Sequence, residues 1–274
     1  MQEFDAIRPY SDEETAPAIK RLVNDREFLD MVGRFKSPLA AKWAPAVLRM
    51  FVRRWLVGNF GHYHRVDDLQ AELSKYVGEL VESTTSRVTH SGLENLSKTN
   101  AHLFISNHRD IVFDPMVVNY LLFQNGFLTT RIAIGDNLLQ NRVFAEMMRL
   151  NKSFVVRRNM TSPREMRDAY LTLSGFINHS IDTNHSIWIA QREGRAKDGI
   201  DATDPAIIKM FYMSRKKSGL DFGEAMNRLH IVPVSIAYEY DPCDADKGRE
   251  LEVKDRTGRY QKTEGEDSEQ IVKG

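Results

Sequence analysis

The segment SNHRDIVFDP, residues 106–115, sets an imidazole, His108, beside two carboxylates, Asp110 and Asp114, at the end of an apolar strand-like run. A histidine oriented by a carboxylate can draw a proton from a hydroxyl. Two more strand-like runs finish on cationic residues. SFVVRR, 153–158, ends in Arg157 and Arg158. AQREGRAKDG, 190–199, carries Glu193, Gly194, Arg195 and Lys197. Guanidinium groups suit phosphate because their N–H groups form paired hydrogen bonds to its oxygens. One base and two anion sockets point to a hydroxyl nucleophile carried on a phosphorylated substrate. Singly, each cluster has a plainer reading: a structural His–Asp pair, a solvated double arginine, turns at Gly194 and Gly199. Their shared position at strand ends, where ligands gather in open parallel sheets, favours a site.

The elements that would hold these residues fall into two parts. Residues 1–82 read as an N-terminal helical region. Ser11 and Glu14 have capping-box spacing. Phe28, Leu29, Val32 and Phe35 recur at helical intervals. Ser37-Pro38 opens a helix that Pro45 kinks or restarts. Asp67–Val81 is amphipathic. Residues 83–274 read as one α/β domain, a mostly parallel sheet flanked by helices. Strands are expected at HLFISNH, RIAIG, SFVVRR, SIWIAQ and HIVPVSIAY. Helices are expected at PMVVNYLLF after Asp114, at NLLQNRVFAEMMRL, from Ser162-Pro163 onward, and near 204–214 and 221–229. RVTHSGLENL reads as a short strand or hairpin, and ELEVKD with RYQK as a strand pair. The closing residues, GEDSEQIVKG, carry no stop signal, so truncation at this end is expected.

Composition excludes several classes. The 274 residues balance 38 basic against 38 acidic side chains, so there is no overall field for nucleic acid, and no nucleic-acid partner is expected. Locally the balance breaks: from Arg34 to Arg65 there is no Asp or Glu. The lone Cys243 cannot form an internal disulfide, points to a reducing compartment, and sits among acidic residues that disfavour a thiolate. No apolar run approaches the ~20 residues of a spanning helix, and the acidic N-terminus lacks a signal-peptide pattern. His108-Arg109-Asp110 and Asp221-Phe222-Gly223 spell kinase triplets. They lie too far apart, and no glycine-rich phosphate loop precedes them. His62 and His64 lack accompanying carboxylates, so no metal site is expected.

Taken in order, the segments resemble the motif set of the glycerolipid acyltransferases, the glycerol-3-phosphate and 1-acylglycerol-3-phosphate acyltransferase superfamily. Asn107-His108 with a following Asp is similar to NHxxxxD, and Arg109 after the histidine is a feature of the bacterial glycerol-3-phosphate branch. KSFVVRR resembles the second motif, EGRAKDG the third, and HIVPVSI, with Pro233, the fourth. The chain departs from the pattern in three places. Phe113 stands where the family has Asp, with Asp114 one later. The third motif is one residue short before Arg195. Lys152 replaces a usual glycine. These mark a divergent branch.

The resemblance implies an O-acyltransferase acting in phospholipid synthesis. His108 would be the general base and Asp114 its orienting partner, with Asp110 as the alternative. Arg157, Arg158, Arg195 and Lys197 would grip a phosphate. Glu193 would bind an acceptor hydroxyl or orient an arginine. The co-substrate would be acyl-CoA or acyl carrier protein, with no other cofactor, and no serine or cysteine nucleophile is implied. The acceptor would be 1-acylglycerol 3-phosphate, glycerol 3-phosphate or an amino-acid-lipid hydroxyl. The rival is a lipid- or partner-binding module without catalysis. An amphiphilic acceptor requires access to a bilayer. In helix 38–57, Trp43, Val47, Met50, Phe51 and Trp55 fall on one side and Lys42, Arg49 and Arg53 on another, with Arg54 interrupting the apolar face. That pattern suits an interfacial helix on anionic lipid, at the inner face of the cell membrane. Equally, it suits a helix packed on its own domain.

Overall fold

Short, mostly apolar runs bounded by polar loops become the strands of a sheet that is covered on both faces. The computed structural model describes residues 2–158, 160–261 and 266. The strands are β1 (Leu103–Ser106), β2 (Arg131–Gly135), β3 (Ser153–Val156), β4 (Ile187–Ala190) and β5 (Ile231–Val234), in the order β3-β2-β4-β1-β5. The sheet is parallel: β1 pairs with β4 in the register Leu103 to Ile187 and with β5 in the register Leu103 to Ile231, and β2 pairs with β4. All four residues of central β1 are buried. Pro233 lies on β5 at the sheet edge, where a missing N–H costs no ladder bond.

The chain divides into two compact units. The first comprises Met1–Ile7, Val88–Ala133 and Val156–Gly274. It contains α6 (Phe113–Gln124), α8 (Pro163–Asp182), α9 (Pro205–Lys216), α10 (Phe222–Asn227) and α11 (Asp244–Thr257). Leu103, Leu122, Phe176, Ile177, Ile187 and Phe211 are fully buried in it. Ser162 caps α8 by accepting from the Glu165 N–H, with Pro163 at the first position as expected. Asp221 of the kinase-like triplet is the cap of α10: its side chain accepts the Glu224 N–H at 2.9 Å.

The second unit comprises Arg8–Arg87 and Ile134–Val155. Its helices are α1 (Asp12–Leu22), α2 (Arg26–Lys36), α3 (Pro38–Trp43), α4 (Pro45–Phe60), α5 (Val66–Thr84) and α7 (Arg142–Leu150). Ile19, Leu22, Leu29, Val52, Leu56, Leu69, Val143 and Leu150 form one core. The capping box at Ser11 and Glu14 is made as expected. Pro45 restarts the chain as α4 after a break at Ala44. Lys152 stands where the resemblance predicts glycine, and its φ of 57° shows why glycine is usual: the left-handed region costs a side chain about 1–2 kcal/mol. The Lys152 ammonium is ion-paired to Asp67.

Two local expectations fail. RVTHSGLENL forms no strand; Leu93–Asn95 is a single 3₁₀ turn after Gly92, whose φ is 93°. ELEVKD lies inside α11 rather than in a strand pair. Its Glu-Leu-Glu-Val alternation mimics a period of two, but no strand partner exists for it among the described residues. Of RYQK, Arg259–Gln261 are outside any helix or strand, and Lys262 lies outside the described residues.

Candidate active site

Parallel strands bring their C-terminal ends to one edge, and four loops of the first unit are joined there. The loop after β1 holds His108. Its Nδ1 lies 2.9 Å from Asp114 Oδ2, in the first turn of α6. A carboxylate accepts, so the ring proton sits on Nδ1 and the Nε2 lone pair is left for a substrate proton. Asp114 is 0% exposed. Its Oδ2 also accepts the N–H groups of Arg109 at 2.7 Å and Asp110 at 3.0 Å, and its Oδ1 accepts the Tyr238 hydroxyl at 2.8 Å. Four donors compensate for the loss of water around a buried carboxylate.

Asp110, the alternative partner, turns the other way. Its Oδ1 accepts the N–H groups of Val112 and Phe113, each at 2.9 Å, in the turn that leads into α6. This turn takes up the extra residue between His108 and its aspartate. The His108 ring meets the buried Trp188 of β4 edge-on, with centroids 5.9 Å apart.

The other loops lock onto this one. The Ala196 N–H donates to the His108 carbonyl at 2.8 Å. Arg109 donates to Asp201 at 2.8 Å and to the carbonyls of Ala196 and Gly199. Asn107 exchanges two hydrogen bonds with the Ile236 backbone, both at 2.8 Å. Arg109 therefore braces the loop after β4 from behind, while Asn107 pins the loop after β5. Gly194 and Gly199 have φ of 76° and 77°, so the turn reading of both is correct.

The cationic residues separate into two environments. Arg157 and Arg158 are exposed after β3, and Arg158 Nε lies 3.4 Å from Glu193 Oε1. Glu193 is thus placed next to an arginine. Arg195 is buried. Its Nη2 lies 3.9 Å from Oε1 of Glu250 on α11, and Lys197 is ion-paired to the same carboxylate.

Three residues of this arrangement went unread in the sequence: Tyr238, Asp201 and Glu250. Tyr238 had a signal, a polar aromatic ending the fifth strand-like run. Glu250 had none, because its helix is polar throughout. Burial pushes the Tyr238 phenol well above its ordinary range, and the charge of Asp114 adds to the effect. Burial also raises the Cys243 thiol, aided by Asp110, which the fold rather than the local sequence brings near. A proton-bearing thiol is a poor nucleophile. Among the described residues no group of His, Cys, Asp and Glu could hold a metal ion.

A parallel α/β sheet with a carboxylate-oriented histidine at its strand ends defines a protein equipped for proton abstraction. A family model described as Acyltransferase matches residues 87–237, more than half of the chain and all four loops but for the last residues of the β5 loop. The chain belongs to this family, that of the glycerolipid acyltransferases. No match was found among curated proteins. The solved structure of chloroplast FtsY from Physcomitrella patens is similar at 13% identity and a TM-score of 0.28, over 84% of this chain and 71% of that one. That likeness carries no weight for fold or function.

Proposed function

We propose that this acyltransferase moves a fatty acyl group from acyl-CoA or acyl carrier protein to a hydroxyl of 1-acylglycerol 3-phosphate or glycerol 3-phosphate. What supports the reading above all is the bond from His108 Nδ1–H to fully buried Asp114, which leaves Nε2 as the base. The acceptor hydroxyl gives its proton to Nε2 as its oxygen forms a bond to the thioester carbonyl carbon. The carbon–sulfur bond then breaks, and the leaving thiolate takes the proton back from the imidazolium. Asp114 holds the ring and stabilises its charged form between those steps, the orienting role a carboxylate has in hydrolase triads. Arg158, beside Glu193, and the exposed Arg157 next to it in the chain are the groups that meet the acceptor phosphate. Arg195 and Lys197, already facing Glu250, supply positive charge behind them.

The test is acyl-CoA turnover by the purified protein against a panel of phosphorylated glycerol acceptors. His108→Ala is expected to lower turnover about 10²–10⁴-fold. Full activity in that variant would refute the base assignment. Binding of acceptor without turnover by the unaltered protein would favour the non-catalytic module.

A specific observation supports approach to an anionic membrane at the inner face of the cell membrane. In the second unit Phe35, Leu39, Trp43, Val47, Met50 and Phe51 are all more than half exposed. Val47, Met50, Phe51 and Arg54 share one face of α4, while Val52 and Leu56 of the other face enter the core. Trp55, expected on the outer face, packs against that core with Lys36 over its ring at 3.6 Å. Arg49 pairs with Asp30 at 2.8 Å and Arg53 bonds Asn24 at 3.0 Å, so part of the basic stripe is tied down. Among the described residues no helix is long and apolar enough to cross a membrane. The protein is expected to float with phosphatidylglycerol vesicles at low salt, and Trp43→Ser with Phe51→Ser to abolish flotation. Absence of binding by the unaltered protein would remove the membrane reading.

A further inference from the structure

We propose that Tyr238 is a positioning residue of the reaction, acting on His108 through Asp114. The inference rests on the acyltransfer reading above. It is carried by how the donors are shared between the two carboxylate oxygens. His108 and the N–H groups of Arg109 and Asp110 all meet Oδ2. Among the described residues Tyr238 is the donor to Oδ1, at 2.8 Å. A carboxylate held at one oxygen can still rotate about its Cβ–Cγ bond. A donor fixed on the opposite oxygen stops that rotation and so fixes the direction in which Oδ2 faces the imidazole.

The phenol is itself held. It lies just beyond β5, on a loop pinned by the paired Asn107–Ile236 bonds. Burial and the Asp114 charge keep its proton in place, so it serves as a donor throughout the working pH range. The arrangement also balances charge. A buried carboxylate that kept its full charge on the ring would bind the imidazolium too tightly for easy return of the proton. Sharing the charge with the phenol keeps the ring ready to give the proton back.

The experiment compares the unaltered protein with Tyr238→Phe, which removes one oxygen. Tyr238→Phe on an Asp114→Asn background and His108→Ala are measured beside it. Turnover is followed against pH with acyl-CoA and 1-acylglycerol 3-phosphate, and the His108 ring is titrated by NMR. Tyr238→Phe is expected to lower kcat about 10-fold, with both KM values unchanged and the His108 titration moved upward. On the Asp114→Asn background the same change should add no further loss. Unchanged kcat and an unmoved His108 titration in folded Tyr238→Phe would overturn the proposal, as would an equal loss on both backgrounds. Full turnover in His108→Ala would instead overturn the base assignment. The NMR titration would still read the coupling between Tyr238 and the ring.

Discussion

The loops after β3 and β4 each present an arginine at the same edge of the sheet, and the two arginines are not equivalent. The Arg158 side chain is 35% exposed and stands beside a glutamate that is 70% exposed. The side chains of Arg195 and Glu250 are each only 3% exposed. An exposed pair is worth about 0–1 kcal/mol, because water screens it and either partner can leave. A buried pair is different: removing one partner costs about 3–5 kcal/mol where the other charge is left uncompensated, and less where, as at Glu250, a second cation remains. Availability to a ligand therefore follows burial and counter-charge. On that ground Arg158 can exchange an exposed carboxylate for a phosphate, whereas Arg195 is committed to holding α11 against the loop that bears it.

The largest effect that would break this contrast lies at Arg195. Arg195→Ala is expected to lower the unfolding free energy in urea titration, by up to about 3 kcal/mol, since buried Glu250 loses one of its two cations. If stability stays put while acceptor KM rises, Arg195 belongs to the phosphate socket and the contrast fails. Arg158→Ala should do the reverse, raising acceptor KM about 10-fold, a loss of some 1.4 kcal/mol of binding. Stability and thioester KM should hardly change. The smallest effect sharpens the scale with an intermediate case. In the second unit Arg8 grips Glu14 at 2.5 Å with both groups partly exposed. The Arg8 hydrogen bond, helped by the Ser11 N–H, pulls the Glu14 carboxyl from 4.5 down to about 2. The folded state thus binds that proton more weakly than the unfolded chain. Its stabilisation is complete above pH 4.5 and is lost as pH falls toward 2. Glu14→Gln should lower stability at neutral pH, leave it little changed near pH 2, and so flatten acid unfolding in that window.

Local features were legible. Each expected strand from HLFISNH to HIVPVSIAY is present, because an apolar run between polar loops needs no distant information to be read as buried. The caps at Ser11 and Ser162 and the restart at Pro45 were equally readable, since each acts within one helical turn. The errors share the opposite character. ELEVKD alternates like a strand, but a lone alternating segment without a neighbour to pair with is free to wind into α11. Trp55 has outward spacing only if its helix is ideal and solvated on that side, and packing against the second-unit core decided otherwise.

By itself the sequence determined the strand order along the chain, the strand ends, the histidine at one of them and the cationic character of two more. Those follow from hydrophobic runs and residue type, which act over a few positions. Only the tertiary structure chose Asp114 over Asp110, set Tyr238 on the far oxygen of that carboxylate, and closed Glu250 over Arg195. Each of these joins charged or polar groups that the chain keeps apart. Desolvation makes such a pairing obligatory once the groups are enclosed together, and no local spacing records which groups will be.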